Sequence, residues 1–374
     1  MNRAVQVTGF GVRTAFGPGA EQVRRGVFAG VPAFAPVTRF DTGPYRSQVA
    51  AVGADSLSVA DALAETAVAA VGMAGVPVGD RTAVFVGTGG DFAALTRYWR
   101  TGGDAAPTVP AWQAEALAVR LGARGPRLAF TSACVASAAA IIHACRMITA
   151  GRIDVAVCAG AYLVEEDNFA KFNSGRALSR DGRVRPFSAD RSGLLLGDGA
   201  AAVVLESRSH AGARGATALA DVAGWGDASD AHHIAKPHPG GTGLTRALTA
   251  ALRRADASGL DYINAHGTAT PLNDSAETRG LSAALGDRAG MVPVSSTKST
   301  TGHLLEASGA VEFVITLLAL LDGVLPPTAG FSRPDPDCDI DCVPDAPRPA
   351  GIRRAATINA AFGGANTALI LEHP

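Results

Sequence analysis

The chain has 374 residues, is 47% hydrophobic and 18% charged, and carries 44 glycines and a formal net charge of −1. It is long enough to bury a large core and too apolar for a disordered polypeptide. Its 33 basic against 34 acidic side chains give no electrostatic footprint for nucleic acid or an anionic membrane surface. No apolar run reaches the roughly 18 residues of a membrane helix, so a soluble cytoplasmic protein is expected.

In chain order, "AVQVTGFG" (Ala4 to Gly11) reads as a β-branched strand closing in Gly-x-Gly. Apolar runs stopped by glycine follow at Arg81 to Gly90 and Asp154 to Ala161, and "AAAVVLE" (Ala200 to Glu206) is a short strand ending in Leu-Glu. After the polar connector "SRSHAGARGA" the pattern restarts. "ALADVAGWG" (Ala218 to Gly226) repeats the Gly-aromatic-Gly rhythm, and "NTALILE" (Asn366 to Glu372) repeats the Leu-Glu ending. Between them, strands are predicted at Asp261 to Thr268, Val292 to Lys298 and Arg354 to Phe362. Helices are predicted at 114–121, 137–150, 242–255, 275–284 and 307–321. Alternating strands and helices argue for an α/β fold with largely parallel sheets, and the repeat argues for two such sheets packed as layers. The segment "RPDPDCDIDCVPDAPRP" reads as an ordered surface loop.

Five cysteines occur, with no CxxC element. Cys338 and Cys342 lack a companion pair, so no metal site is expected. Cys134 sits in "FTSACVASAAAI", at the seam between an apolar run and an alanine-rich helix. There the helix dipole and unpaired N–H groups would favour the thiolate. The residues alone admit two readings of it, a nucleophile or a small packing side chain. Three polar segments interrupt the second half at strand ends, where α/β proteins place their sites. "NAHGTATPLNDSAET" carries His266, Thr268, Thr270, Asp274 and Glu277; "SSTKSTTGHLLEASGA" carries Lys298 and His303; "NAAFGGAN" carries Phe362, Gly363 and Gly364.

These segments, with "RPFSADRSGLLLGDGAAAVVLE" (Arg185 to Glu206), resemble in order the β-ketoacyl synthase (condensing enzyme) family of the thiolase superfamily, in its stand-alone type II elongating form. The resemblance implies a thiolase fold, five layers α-β-α-β-α built from two pseudo-duplicated halves. Residues 1–210 would carry the nucleophile, and 211–374 the catalytic histidines and lysine. It implies a decarboxylative Claisen condensation, joining an acyl group on Cys134 to malonyl-acyl carrier protein to give a β-ketoacyl-carrier protein in polyketide or fatty-acid-like biosynthesis.

By the same resemblance His266 and His303 would hydrogen-bond the malonyl thioester as its enolate forms, where donors aimed at developing charge count most. Lys298, paired with Glu277, would hold the site electrostatically, with Asp274 as a supporting acid. The backbone N–H groups of Cys134 and Phe362 would form an oxyanion hole. Phe362 would gate the acyl pocket on Gly363 and Gly364, and Thr268 and Thr270 would bind pantetheine. No cofactor would be bound, since the phosphopantetheine arm arrives on the carrier. The implied partners are acyl carrier protein, acyl and malonyl thioesters, and a homodimer or heterodimer mate. Arg176, Arg180, Arg183 and Arg185 are nominated as a carrier-docking patch. Two other readings remain open at this level: a noncatalytic partner of the chain-length-factor kind, and acyl transfer or cyclisation without malonyl decarboxylation. The sequence departs from the family at Val135, after the nucleophile, at Glu306, where a glycine is frequent, and at Asp198, where Glu is common.

Overall fold

A computed structural model describes residues 4–55 and 57–374. Its central sheet runs in the order Asp341–Cys342, Pro293–Ser295, Tyr262–Asn264, Arg354–Ala360, Ala365–Glu372, Ala220–Ser229, Val5–Thr14, Gly199–Ser207, Val155–Tyr162, Thr82–Gly87, Arg127–Phe130. Outward from its middle, each side takes two antiparallel steps and then two parallel ones, and the second side adds a third parallel step to Asp341–Cys342. The sequence repeat is therefore a repeat of topology.

The two sheets expected as separate layers are joined edge to edge. Val5, Gln6 and Val7 pair antiparallel with Val222, Asp221 and Ala220, so one path of strands crosses the molecule. The layers remain: helices Val59–Ala74 and Pro110–Leu121 cover one sheet face, Thr242–Arg254 and Pro271–Leu285 cover another, and Ala136–Thr149 and Ser308–Asp322 fill the middle. The sequence reading had passed over Val59–Ala74, although Ser58 and Asp61 form a capping box at its start. Every residue from Ser308 to Leu320 is buried, as an all-round apolar helix requires.

The Gly-x-Gly repeats have a packing cause. A Cβ on Gly11 would lie 2.1 Å from the Thr66 carbonyl oxygen, and one on Gly226 would lie 2.0 Å from that of Ala247. Gly9 and Gly224 face Ala70 and Ala251 in the same way. In both halves the outer helix lies directly on the strand backbone, which only glycine permits.

The Asp- and Pro-rich loop is ordered as expected, but Asp341–Cys342 within it extends the sheet beside Pro293–Ser295. Among the described residues, no helix is long and apolar enough to cross a membrane.

Candidate active site

Two short turns meet at the centre of the fold. Ala133–Val135 leads into the helix Ala136–Thr149, and Leu305–Ala307 leads into Ser308–Asp322. Each turn opens with a non-glycine residue held at positive φ, Ala133 at 50° and Leu305 at 41°. Such backbone costs of order 1–3 kcal/mol per residue and persists where surrounding packing imposes it. Phe187 (φ 63°) and Ala269 (φ 61°) border the same region. The helix starts are locked together, since Ser137 Oγ accepts the Ala310 N–H at 2.9 Å.

Cys134 is the middle residue of the first turn and only 6% exposed. The thiolate expected from the helix N-terminus is not what this environment favours. Burial pushes the thiol up to about 12, with the charge of Glu306 adding to the shift and that of Lys298 opposing it. Desolvation outweighs the dipole, because a buried thiolate loses more hydration than the helix end returns.

His266 and His303 lie ring to ring, centroids 5.2 Å apart and nearly perpendicular. Burial first, then the charge of Lys298, holds both well below the usual imidazole range, so both rings are neutral. The Leu305 N–H donates to His303 Nδ1 at 3.2 Å, and Ser308 Oγ lies 3.2 Å from the same nitrogen. Nδ1 is thus the acceptor, and the proton sits on Nε2. The backbone of His303 is clamped too: its N–H donates to the Leu195 carbonyl and its carbonyl accepts the Gly197 N–H.

Lys298 is 1% exposed, and its partner differs from the one expected. Its Nζ pairs with Glu312, not Glu277. Glu277 instead accepts the backbone N–H groups of His266 and Gly267 at 2.6 and 2.7 Å, holding the turn that presents the histidine. Glu312 takes a second bond, 2.5 Å, from Asn359 Nδ2. The sequence carried one signal for Glu312: it is an acid inside an otherwise apolar buried helix, where a charge must find a partner.

Asp274 is fully buried and accepts the Phe187 N–H at 2.9 Å, with Arg191 3.7 Å away. Burial raises Asp274 to about 6 and Glu277 to about 7. The hydroxyls of Thr268 and Thr270 are 2.9 Å apart and bond each other.

Phe362 is 54% exposed and stacks on Phe172, centroids 5.7 Å apart, while Phe172 also packs edge-on against His303. Gly363 and Gly364 hold φ of 83° and 79° beside it. Among the described residues, the Phe362 N–H makes no backbone hydrogen bond, and the Cys134 N–H bonds its own thiol. The nominated arginine patch holds only in part. Arg176, Arg180 and Arg183 are exposed, whereas Arg185 is buried and paired with Asp181 and Asp190. Asp198 is bound bidentately by Arg39 at 2.9 and 2.6 Å, a structural pair the sequence did not disclose.

Residues 58–211 match the family model "Beta-ketoacyl synthase, N-terminal domain", and residues 219–332 match its C-terminal counterpart. Nodulation protein E of Rhizobium meliloti is 41% identical over 277 residues, covering 73% of this chain and 67% of that protein. The 3-oxoacyl-acyl-carrier-protein synthase 2 of Coxiella burnetii is 32% identical over 407 residues, 99% of this chain and 98% of that one. Among solved structures, the ishigamide ketosynthase/chain length factor superposes with a TM-score of 0.93 at 32% identity over the whole of both chains.

Proposed function

The chain belongs to the β-ketoacyl synthase family, and from that premise we propose that it is a condensing enzyme, joining a Cys134-bound acyl group to malonyl carried on acyl carrier protein. The observation that carries this reading is Cys134 on a strained turn packed against the turn that follows His303, whose Nε2–H is fixed as a donor.

In the first half-reaction Cys134 Sγ attacks the carrier thioester. The Sγ–C bond forms, the pantetheine thiol leaves, and the proton of Cys134 ends on that leaving thiol. Because the thiol starts protonated, a base must carry the proton across, and we assign His266 to it, since its Nδ1 has no hydrogen-bond partner among the described residues whereas His303 Nδ1 already accepts one. The oxyanion of the tetrahedral intermediate is met by the N–H groups of Cys134 and Phe362. In the second, the malonyl carboxylate leaves as carbon dioxide while the His303 Nε2–H bonds the thioester oxygen that gains charge. The resulting enolate carbon attacks the Cys134 thioester, releasing the sulfur and a β-ketoacyl carrier. The charge of Lys298 disfavours a lasting imidazolium, so the proton passes on to the leaving thiol and His303 remains a neutral donor. Thr268 and Thr270 are assigned to the pantetheine amides, and Phe362 to the gate over Cys134.

The relatives' names supply the partners of this reading: an acyl carrier protein as substrate carrier and a chain-length-factor-like mate. The second reading, a noncatalytic partner subunit, takes its support from the likeness to the ishigamide ketosynthase/chain length factor, and the presence of Cys134 with both histidines weighs against it. Intact-protein mass spectrometry separates the two. After incubation with acyl-carrier thioesters, the condensing reading expects an acyl mass on Cys134 that Cys134→Ala abolishes and that malonyl carrier protein discharges as an elongated product with one carbon dioxide. Absence of any adduct from every donor would establish the partner reading instead.

A further inference from the structure

Glu306 is the middle residue of its turn, as Cys134 is of the other, and the two turns pack on each other. The fold therefore displays a carboxyl at the position that mirrors the nucleophile. Its Oε1 lies where Gly89 leaves space, 2.9 Å from where a Cβ would stand and beside the Phe92 ring, and its Oε2 is buried with no hydrogen-bond partner among the described residues.

Behind it is an enclosed cavity of about 20 Å³, lined by Gly90, Asp91, Phe92, Tyr162, Glu165 and Glu306 among others. That is room for about one water or one small polar group. Tyr162 is 2% exposed, and its hydroxyl likewise has no partner. An oxygen or hydroxyl buried unmatched is costly, so two of them on residues that line one hole ask for a ligand that bonds both. Asp91 is occupied at a helix start, where it accepts the Ala94 N–H. Burial raises Glu165 to about 6, and Lys171 is paired with Asp167.

We propose that Glu306 and Tyr162 form a polar end wall to the acyl site, selecting short acyl groups whose far end donates a hydrogen bond, a hydroxyl or an ammonium, over plain alkyl chains. This rests on the condensing reading above. An acyl group on Cys134 has Glu306 as a near neighbour, because the two turns are in contact, the charge of Glu306 is felt at the thiol, and Glu306 lines the cavity. An alkyl end placed there would strand both oxygens, whereas a hydroxyl donates to the carboxyl and accepts from the phenol, and an ammonium donates to both oxygens.

The test is a competition. Purified protein is offered equal amounts of butyryl-, 3-hydroxypropionyl- and β-alanyl-acyl carrier protein, three acyl groups of equal length, and the masses on Cys134 are compared in wild type, Glu306→Gln, Glu306→Gly and Tyr162→Phe. Wild type is expected to prefer the substituted acyl groups about tenfold or more, and Glu306→Gly to move that ratio toward butyryl by at least as much. Glu306→Gln distinguishes the donors: it keeps the hydroxyl preference and loses the ammonium one. A melting curve for each variant guards against misfolding, and the isosteric Gln and Phe variants read the site if Gly does not fold. Equal acylation by all three groups in wild type, or an unchanged ratio in the Glu306 variants, overturns this proposal alone. No acylation of Cys134 by any donor overturns the condensing reading, and this proposal with it.

Discussion

The turns Ala133–Val135 and Leu305–Ala307 occupy equivalent places in two halves that share strand directions, glycine contacts and a central helix. Both are opened by a residue at positive φ and both feed a buried helix. One presents a thiol and the other a carboxyl, with His303 two residues before the second turn begins. The duplication thus supplies the frame, and a few side chains at the strand-to-helix junctions supply the difference. Polar groups follow the same division. The Lys298–Glu312 pair, Glu277, Asp274 and both histidines all belong to the second half, whereas the first half brings the thiol of Cys134.

The sharpest way to break this comparison is to strip the second half of its paired charge. Glu312→Leu leaves Lys298 buried without a partner and is expected to cost about 3–5 kcal/mol in urea unfolding, while the double variant with Lys298→Met recovers most of it. Equal losses in the single and double variants would show that the pair is not a unit. Next is His303→Ala, expected to slow carbon dioxide release from malonyl carrier protein by about 10²–10³-fold, the scale of one lost oxyanion donor. Acylation of Cys134 should persist in that variant, and a parallel loss of both steps would place the histidine in the first half-reaction as well.

Smaller effects sharpen the structural side. Gly11→Ala and Gly226→Ala should each cost about 1–3 kcal/mol of overpacking, and near-equal losses are the signature of one device used twice. The smallest is a pH slope. The carboxyl of Glu277 has an unfolded-state value near 4.5 and is raised to about 7 in the folded protein, so between those values the folded state holds a proton the unfolded state releases. Its contribution to stability is therefore present below about pH 4.5 and falls as pH rises through 7, by at most about 1 kcal/mol per pH unit. Glu277→Gln should flatten that window in a series of urea midpoints, and an unchanged slope would assign it to Asp274 or Glu165, whose carboxyls burial also raises, each to about 6.

What the sequence disclosed follows from periodicity and punctuation. The Gly-x-Gly strands, the Leu-Glu strand ends and the order of the polar segments are local, and they led to the α/β layers and to Cys134, His266, Lys298 and His303 as the residues of interest. The partner of Lys298 was not legible, because Glu277 lies in a neighbouring polar segment while Glu312 is hidden in an apolar helix, and only the packing of that helix decides between them. The state of the thiol was not legible either. A helix N-terminus can be read from sequence, but the burial that outweighs it depends on side chains from both halves. The three-residue seam between the sheets left no sequence mark at all, since Val5 to Val7 look the same whether paired on one side or two.

That seam also governs how the molecule can be made. Val5–Thr14 is the innermost strand of the first half, pairing on one edge with Gly199–Ser207 and on the other with Ala220–Val222. Apart from the short pairing of Arg13 and Thr14 with Gly17–Pro18, its partners lie roughly 200 residues further along the chain, about 10–40 s of synthesis at ordinary elongation rates. The innermost strand of the sheet is thus the one fixed by the most distant contacts, and closing loops of that length, before any pairing rewards it, is the slow step that this topology imposes on folding.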